Sequence, residues 1–353
     1  MEKQQERNIE LKVHKINYKA ENILRRRDKP VDIEEVGKLI GNTPMIKIIC
    51  EHGGVSKNVF VKLEWYNFSG SIKDRAAYYI IKSAIDGGKL KVGQPIIEAT
   101  SGNMGISIAA IGGVLKSPVH VFMPDWMSNE RKKILKNYGA ILHEVSREEG
   151  GFIAAIGMAD KLAEQIGGFR SNQFENPDNV LAHYESTGKE ILSKMNGRKI
   201  DAFVSGIGTG GTLMGVTAVL KEYDKNIKAY AYEPDSLSTI LLGDTKGTHK
   251  IEGIGDEFIP KIVNRESIDK VILINDNDAV NMARILIRNG LGVGISGGGN
   301  FLASVLFNDG NENIVTVFPD DNKKYLSTEL GLGIDNDKEL ISNSIEILGF
   351  EVL

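Results

Sequence analysis

Cysteine is almost absent: the 353-residue chain has one, Cys50. A single thiol cannot form an intramolecular disulfide and cannot build a zinc–thiolate cluster. Its place in the apolar run 45–50 is that of a small core residue. Proline is scarce as well, 9 residues against 39 glycines. No apolar stretch reaches the length of a bilayer span, and the longest, around 106–115, is interrupted by glycine. The first residues are polar and charged, without the apolar segment of a secretory signal. The expectation is therefore a cytoplasmic, reducing setting with no membrane. No sign of charge dominates, with 43 Lys and Arg against 47 Asp and Glu and a net charge of -4. That balance carries no footprint for nucleic acid, and the basic run Arg25-Arg26-Arg27 reads as a solvated arm or surface helix. The six histidines show no metal-ligand spacing, so no metal is expected. His183 reads as structural, and His249 as a residue that lines a site entrance.

What is present is an alternating pattern. A hydrophobic content of 41% suffices for one large domain or two interlocked ones. Short β-rich runs are expected at 45–49, 59–63, 95–98, 119–123, 141–145, 202–205, 229–232, 271–274 and 314–318. Helical periodicity lies between them at 73–86, 105–114, 129–138, 153–166, 180–195, 212–223, 276–290 and 300–306. Glycines cluster where strands end and helices begin. Strands alternating with helices of this length imply right-handed crossovers and an α/β fold with mostly parallel sheet. The tail reads as one more helix, 336–348.

Three segments carry candidate chemistry. Ser101-Gly102-Asn103-Met104-Gly105 follows a strand and opens a helix, where free backbone N–H groups and the helix dipole favour an anion. Thr100, Ser101 and Asn103 add side-chain donors, and the loop suits a carboxylate. It equally suits a plain strand-to-helix turn with a polar cap. Gly206-Ile207-Gly208-Thr209-Gly210-Gly211-Thr212 is a phosphate cradle by the same argument. It also satisfies the dinucleotide pattern at Gly206, Gly208 and Gly211, with Glu233 at the end of the next strand, so a nicotinamide oxidoreductase competes. In Gly70-Ser71-Ile72-Lys73-Asp74-Arg75, Lys73 sits in the first turn of a helix, where the dipole does not favour a cation. Alone, it is indistinguishable from a surface lysine.

These segments occur in order with IGNTPMIKI, NQFENPDNVLAHYESTGKEI, EGIGDEFIP and GISGGGN. Together they resemble the cysteine synthase and cystathionine β-synthase family of fold-type II pyridoxal-phosphate enzymes, over about 36–326. The resemblance implies a tryptophan-synthase-β-like α/β fold of two interlocked three-layer domains with mostly parallel twisted sheets. Its divisions would be an N-terminal extension 1–30, a larger cofactor domain 31–80 and 181–330, a smaller mobile domain 81–180, and a tail 331–353. It implies pyridoxal 5'-phosphate held by Lys73 as a Schiff base. The phosphate would sit on Gly208, Thr209, Gly210, Gly211 and Thr212, with Asn103 on the ring hydroxyl and Ser296 on the pyridine nitrogen. Thr100, Ser101, the Met104 N–H and Gln173 would hold the substrate carboxylate. A hydroxyl such as Ser296 stabilises a charged pyridine less than an aspartate would, which favours expulsion of a β-substituent over a long-lived carbanion. The implied chemistry is β-replacement or β-elimination on L-cysteine or an activated L-serine, with sulfide or water as second reactant, in a homodimer.

The chain departs from plain cysteine synthases in two places. Met104 stands where the family often has Thr, and Glu252-Gly253-Ile254-Gly255-Asp256-Glu257 is more acidic than its counterpart. Carboxylates near Cβ suit a poor leaving group or an attacking water. Glu252, Asp235 and Asp256 are therefore candidate catalytic acids, with solvated loop charges as the plain alternative. Condensation of the cystathionine β-synthase type is less favoured, since no haem-ligand pattern is present in the first 30 residues. A non-catalytic paralogue would have no need of Lys73, Asn103 and Ser296.

Overall fold

A computed structural model describes residues 32–244, 246–308, 310, 312–332 and 339–353. The N-terminal extension with its basic run lies outside these residues. The described residues form two compact units, one of residues 32–38 and 80–172 and one of residues 39–79 and the described part of 173–353. The strands are β1 Met45–His52, β2 Val55–Leu63, β3 Ile96–Ala99, β4 Val119–Pro124, β5 Ile141–Val145, β6 Phe169–Arg170, β7 Ala202–Gly206, β8 Lys228–Pro234, β9 Lys270–Ile274, β10 Asn313–Phe318 and β11 Ile345–Val352.

The smaller unit has a parallel sheet in the order β5-β4-β3-β6. Ile97, Ala99, Phe122 and Val145 pack beneath the helix Gly151–Ile166, which presents Ala155, Ala159, Leu162 and Ala163 at helical spacing. His120 and His143 stack on this sheet with ring centroids 5.5 Å apart, and burial pushes His120 down to about 4. His120 is therefore a neutral packing group under ordinary conditions.

The larger unit carries a seven-stranded sheet in the order β11-β1-β2-β10-β7-β8-β9. From β2 to β9 all neighbours are parallel, while β1 pairs antiparallel with β2 and β11. Its parallel strands are continuous apolar runs because both faces are covered. The α/β architecture and mostly parallel pairing match the sequence pattern.

Three local readings need correction. The tail does not continue as a helix: its described part is a short 3-10 turn, Ile341–Ser344, followed by β11. Residues 345–352 alternate apolar and polar, and they complete the free edge of β1. The helix read at 300–306 starts earlier: it is Ile295–Phe307 and contains Ser296 and the three glycines 297–299. The segment read as one helix, 180–195, is Asp178–Ala182, a π-helical turn His183–Gly188, and Lys189–Met195.

Candidate active site

Lys73 begins the helix Lys73–Asp86 in the larger unit. The residues on either side of it are clamps. Asp74 is fully buried and accepts from the Ser69 N–H at 2.7 Å and from the Ser69 hydroxyl. The Ile72 N–H donates to Pro319 O at 2.8 Å, tying the preceding turn to the end of β10. Arg75, 0% exposed, binds Glu64 and Glu190. Lys73 itself is half-buried and is not a surface charge. Burial pushes its amine down to about 8, against the pull of the Asp256 carboxylate. About one amine in ten is then neutral at pH 7, against far fewer for a free lysine.

The loop after β7 opens the helix Gly211–Tyr223 with Gly210 at φ +86°. Its glycines are required by packing. A Cβ at Gly208 would lie 2.4 Å from Gly253 O, and one at Gly211 would lie 2.1 Å from Asn179 Oδ1. Asn179 was not singled out by motif. Its Nδ2 donates to Gln173 O at 2.8 Å and to Thr209 Oγ1 at 3.0 Å, so it joins the two segments. Asn300 has a similar role, accepting from the Gly206 N–H at 2.8 Å and donating to Val317 O at 2.7 Å. Both are asparagines inside the quoted motifs, but nothing in their spacing separates a tie from a ligand.

The acidic segment docks on this loop: the Gly255 N–H donates to Ile207 O at 2.9 Å. His249 bonds Gly255 O at 2.8 Å, so it fixes the segment. The three candidate acids separate here. Asp256 is half-buried, its pKa raised to about 6 by burial against the opposing charge of Lys73. Asp235 is exposed and accepts from Asn275 Nδ2 at 2.9 Å. Glu252 is half-buried at the head of the docked turn. Ser296 is buried in the first turn of its helix, where its carbonyl accepts from the Tyr232 hydroxyl at 2.8 Å.

Glu233 decides against the dinucleotide reading. It is 2% exposed, and its carboxylate accepts from Ser238 Oγ at 2.9 Å, Ile240 N–H at 2.7 Å and Leu241 N–H at 3.0 Å. It holds a turn, and its oxygens are already engaged by those donors.

In the smaller unit, β3 runs into Thr100-Ser101-Gly102 and the helix Asn103–Leu115. Thr100 is buried, and its hydroxyl accepts from the Gly102 N–H at 3.0 Å. Met104 is 1% exposed, so its side chain belongs to the core. Arg131 from the helix Asn129–Asn137 packs under the turn, and a Cβ at Gly102 (φ +150°) would lie 2.4 Å from its Cδ. Gly102→Ala is expected to cost about 1–3 kcal/mol of stability. Thermal melting checks this, and an unchanged Tm would show that the turn relaxes freely.

A half-buried amine of lowered pKa and a glycine cradle ending in a helix N-terminus both lie in the larger unit. This is the equipment of an enzyme that uses a phosphate-bearing carbonyl cofactor. The chain belongs to the pyridoxal-phosphate-dependent enzymes: the family described as "Pyridoxal-phosphate dependent enzyme" matches residues 36–320. It is 40% identical to a cysteine synthase of Staphylococcus aureus over 307 residues, 86% of this chain and 97% of the relative. It is 43% identical to cysteine synthase B of Campylobacter jejuni, with 84% and 98% covered. Among solved structures, a hydrogen sulfide-producing enzyme from Fusobacterium nucleatum matches with TM-score 0.87 at 43% identity, covering 91% of this chain and 98% of that one. The residues present fit pyridoxal phosphate, since Lys73 offers an amine of lowered pKa and the loop 206–212 a cradle without side-chain bulk.

Proposed function

We propose that this enzyme exchanges or expels the substituent on Cβ of L-cysteine or an activated L-serine, with sulfide as leaving group or nucleophile. The observation that carries the reading is the half-buried Lys73 amine, lowered to about 8, whose charge interacts with that of Asp256, a half-buried carboxyl raised to about 6. Bound pyridoxal phosphate supplies an electron sink for charge developing at Cα. The remaining work falls to the chain. Lys73 holds the cofactor and Nζ takes the Cα proton. Residues 208–212 hold the phosphate, Asn103 the ring hydroxyl and Ser296 the ring nitrogen. Thr100, Ser101, the Met104 N–H and Gln173 hold the substrate carboxylate. Asp256 manages protons at Cβ: as an acid it protonates a poor leaving group, and as a base it takes a proton from water.

The net reaction that uses Asp256 most fully is L-cysteine plus water giving L-serine plus hydrogen sulfide. The similarity to both cysteine synthases and a hydrogen sulfide-producing enzyme supports sulfide as the common reactant. We place the enzyme in the cytoplasm as a homodimer. Among the described residues no helix is long and apolar enough to cross a membrane.

The test compares serine and sulfide release from L-cysteine with cysteine formation from O-acetyl-L-serine and sulfide. Asp256→Asn is expected to lower serine formation about 10²–10⁴-fold and to leave the acetate reaction within about tenfold. In the native enzyme serine formation should fall as pH drops through about 6, where Asp256 becomes protonated. Equal loss of both reactions would remove Asp256 from proton transfer at Cβ.

A further inference from the structure

The backbone on both sides of Asp256 is tied down by side chains from elsewhere in the larger unit. We propose that Thr239 and His249 are positioning residues for Asp256: they hold the two carbonyls that flank its Cα and so fix the direction in which its side chain leaves the backbone. The proposal rests on the reading of Asp256 as the group that moves protons at Cβ.

The geometry follows from the planarity of the peptide group. A residue has two soft backbone dihedrals, and its Cβ direction is set once the peptide planes before and after it are held. The plane before Asp256 carries Gly255 O, which accepts from His249 Nε2 at 2.8 Å. The plane after it carries Asp256 O, which accepts from the Thr239 hydroxyl at 2.8 Å. One plane further back, the Gly255 N–H donates to Ile207 O at 2.9 Å and registers the segment against the glycine loop. A carbonyl oxygen only accepts, so Nε2 carries the imidazole proton in this bond. Among the described residues the buried Nδ1 has no hydrogen-bond partner, so holding Gly255 is the one hydrogen bond this ring makes. Gly255, at φ +69°, permits the approach: a Cβ there would lie 2.9 Å from His249 Nε2 and 3.0 Å from Pro234 Cγ.

Thr239 is itself built in. It is 5% exposed and lies between Ser238, whose hydroxyl donates to the buried Glu233 carboxylate at 2.9 Å, and Ile240, whose N–H donates to it at 2.7 Å. The Ser238 N–H adds a bond to Asp244 Oδ2 at 3.0 Å. The turn that Glu233 holds thus presents the Thr239 hydroxyl to the acidic segment. The carboxyl positioned in this way is half-buried and interacts electrostatically with Lys73 and Glu257. Burial raises it to about 6, and Lys73 opposes that rise. Loss of either clamp frees one dihedral of Asp256 and lets the carboxyl turn toward water. Its pKa then falls back toward the ordinary value of about 4.

The experiment measures, on holoenzyme and as a function of pH, serine formation from L-cysteine and cysteine formation from O-acetyl-L-serine and sulfide. Thr239→Val removes the donor and keeps the shape. It is expected to lower serine formation about 10–100-fold and the acetate reaction less than about threefold. The acid limb of serine formation should move from about 6 toward about 4. His249→Leu should behave alike. Thr239→Ser and His249→Gln retain a donor and should restore both the ratio of the two rates and the acid limb. Parallel loss of both reactions with an unmoved acid limb would overturn the proposal in favour of a packing role. If Thr239→Val fails to fold, His249→Leu and the two restoring variants decide by the same readouts. An Asp256→Asn enzyme that loses both reactions equally would overturn the reading of Asp256 itself. A selective loss in Asp256→Asn beside unselective losses in Thr239→Val and His249→Leu would overturn the positioning alone.

Discussion

Lys73→Ala should abolish the yellow absorption of the bound cofactor that depends on covalent attachment and lower turnover by at least about 10³–10⁴-fold. The size follows from the two roles proposed for one atom, the nucleophilic amine and the base for the Cα proton. Both need the neutral amine, and burial provides it by lowering the pKa to about 8. Lys73→Arg should not rescue, because a guanidinium stays charged and cannot attack a carbonyl carbon. The fold should survive, since the clamps on the turn are Asp74, Arg75 and the Ile72 backbone, and none uses the Lys73 side chain. Absorption spectra of both variants with added pyridoxal phosphate, together with single-turnover proton release from Cα, check this. A Lys73→Ala protein that retains the native spectrum and rate would place the cofactor elsewhere.

Much of the fold around the candidate site was legible from order and residue type. The helix 73–86 was read to its ends, because its apolar spacing is strongly periodic and its start falls at a turn. The parallel strands were recognisable as apolar runs, two of them, β3 and β7, leading into glycine loops. What escaped was set by distant partners. β11 pairs with β1, nearly three hundred residues earlier, and no local signal announces that free edge. The run Ser296-Gly297-Gly298-Gly299 has poor helix propensity but is helical. A Cβ at Gly298 would lie 2.4 Å from Ala279 O, and one at Gly299 would lie 2.5 Å from the Tyr232 hydroxyl oxygen, so close packing chose glycine over propensity. The acids at 235, 252 and 256 look alike in sequence. Asp235 is exposed, whereas Asp256 is half-buried and interacts electrostatically with Lys73, a difference that only the tertiary fold determines. Glu233 shows the opposite error, a good spacing match whose carboxylate is already committed to a turn.

The second large effect is on stability, and it lies under the same lysine. Arg75→Met should destabilise the fold by about 3–5 kcal/mol, because it leaves Glu64 buried without its main counter-charge. Arg75 Nε lies 2.6 Å from Glu64 Oε2 and Nη1 lies 2.7 Å from Glu190 Oε1, while Lys62 Nζ lies 2.6 Å from Glu190 Oε2. Thr43 donates to Glu64 at 2.7 Å and Asn67 donates to it at 2.8 Å, so the carboxylate is fully engaged. The sequence IGNTP is thereby explained as part of this network. At Gly41, with φ +86°, a Cβ would lie 2.8 Å from Glu190 Oε1. Desolvation opposes every charge here, yet Arg75 and Lys62 still hold Glu190 down to about 2 and Glu64 below the usual carboxylate range. Both folded pKa values lie below the unfolded ones. Their contribution is thus fully present above about pH 4.5 and is lost as pH falls toward about 2. Denaturant unfolding from pH 7 to pH 3 should show that acid slope in the native protein and a shallower one in the double variant Glu64→Gln, Glu190→Gln. An Arg75→Met protein with native stability would mean that water reaches Glu64, and the clamp on the turn before Lys73 would then have to come from Asp74 and the backbone alone.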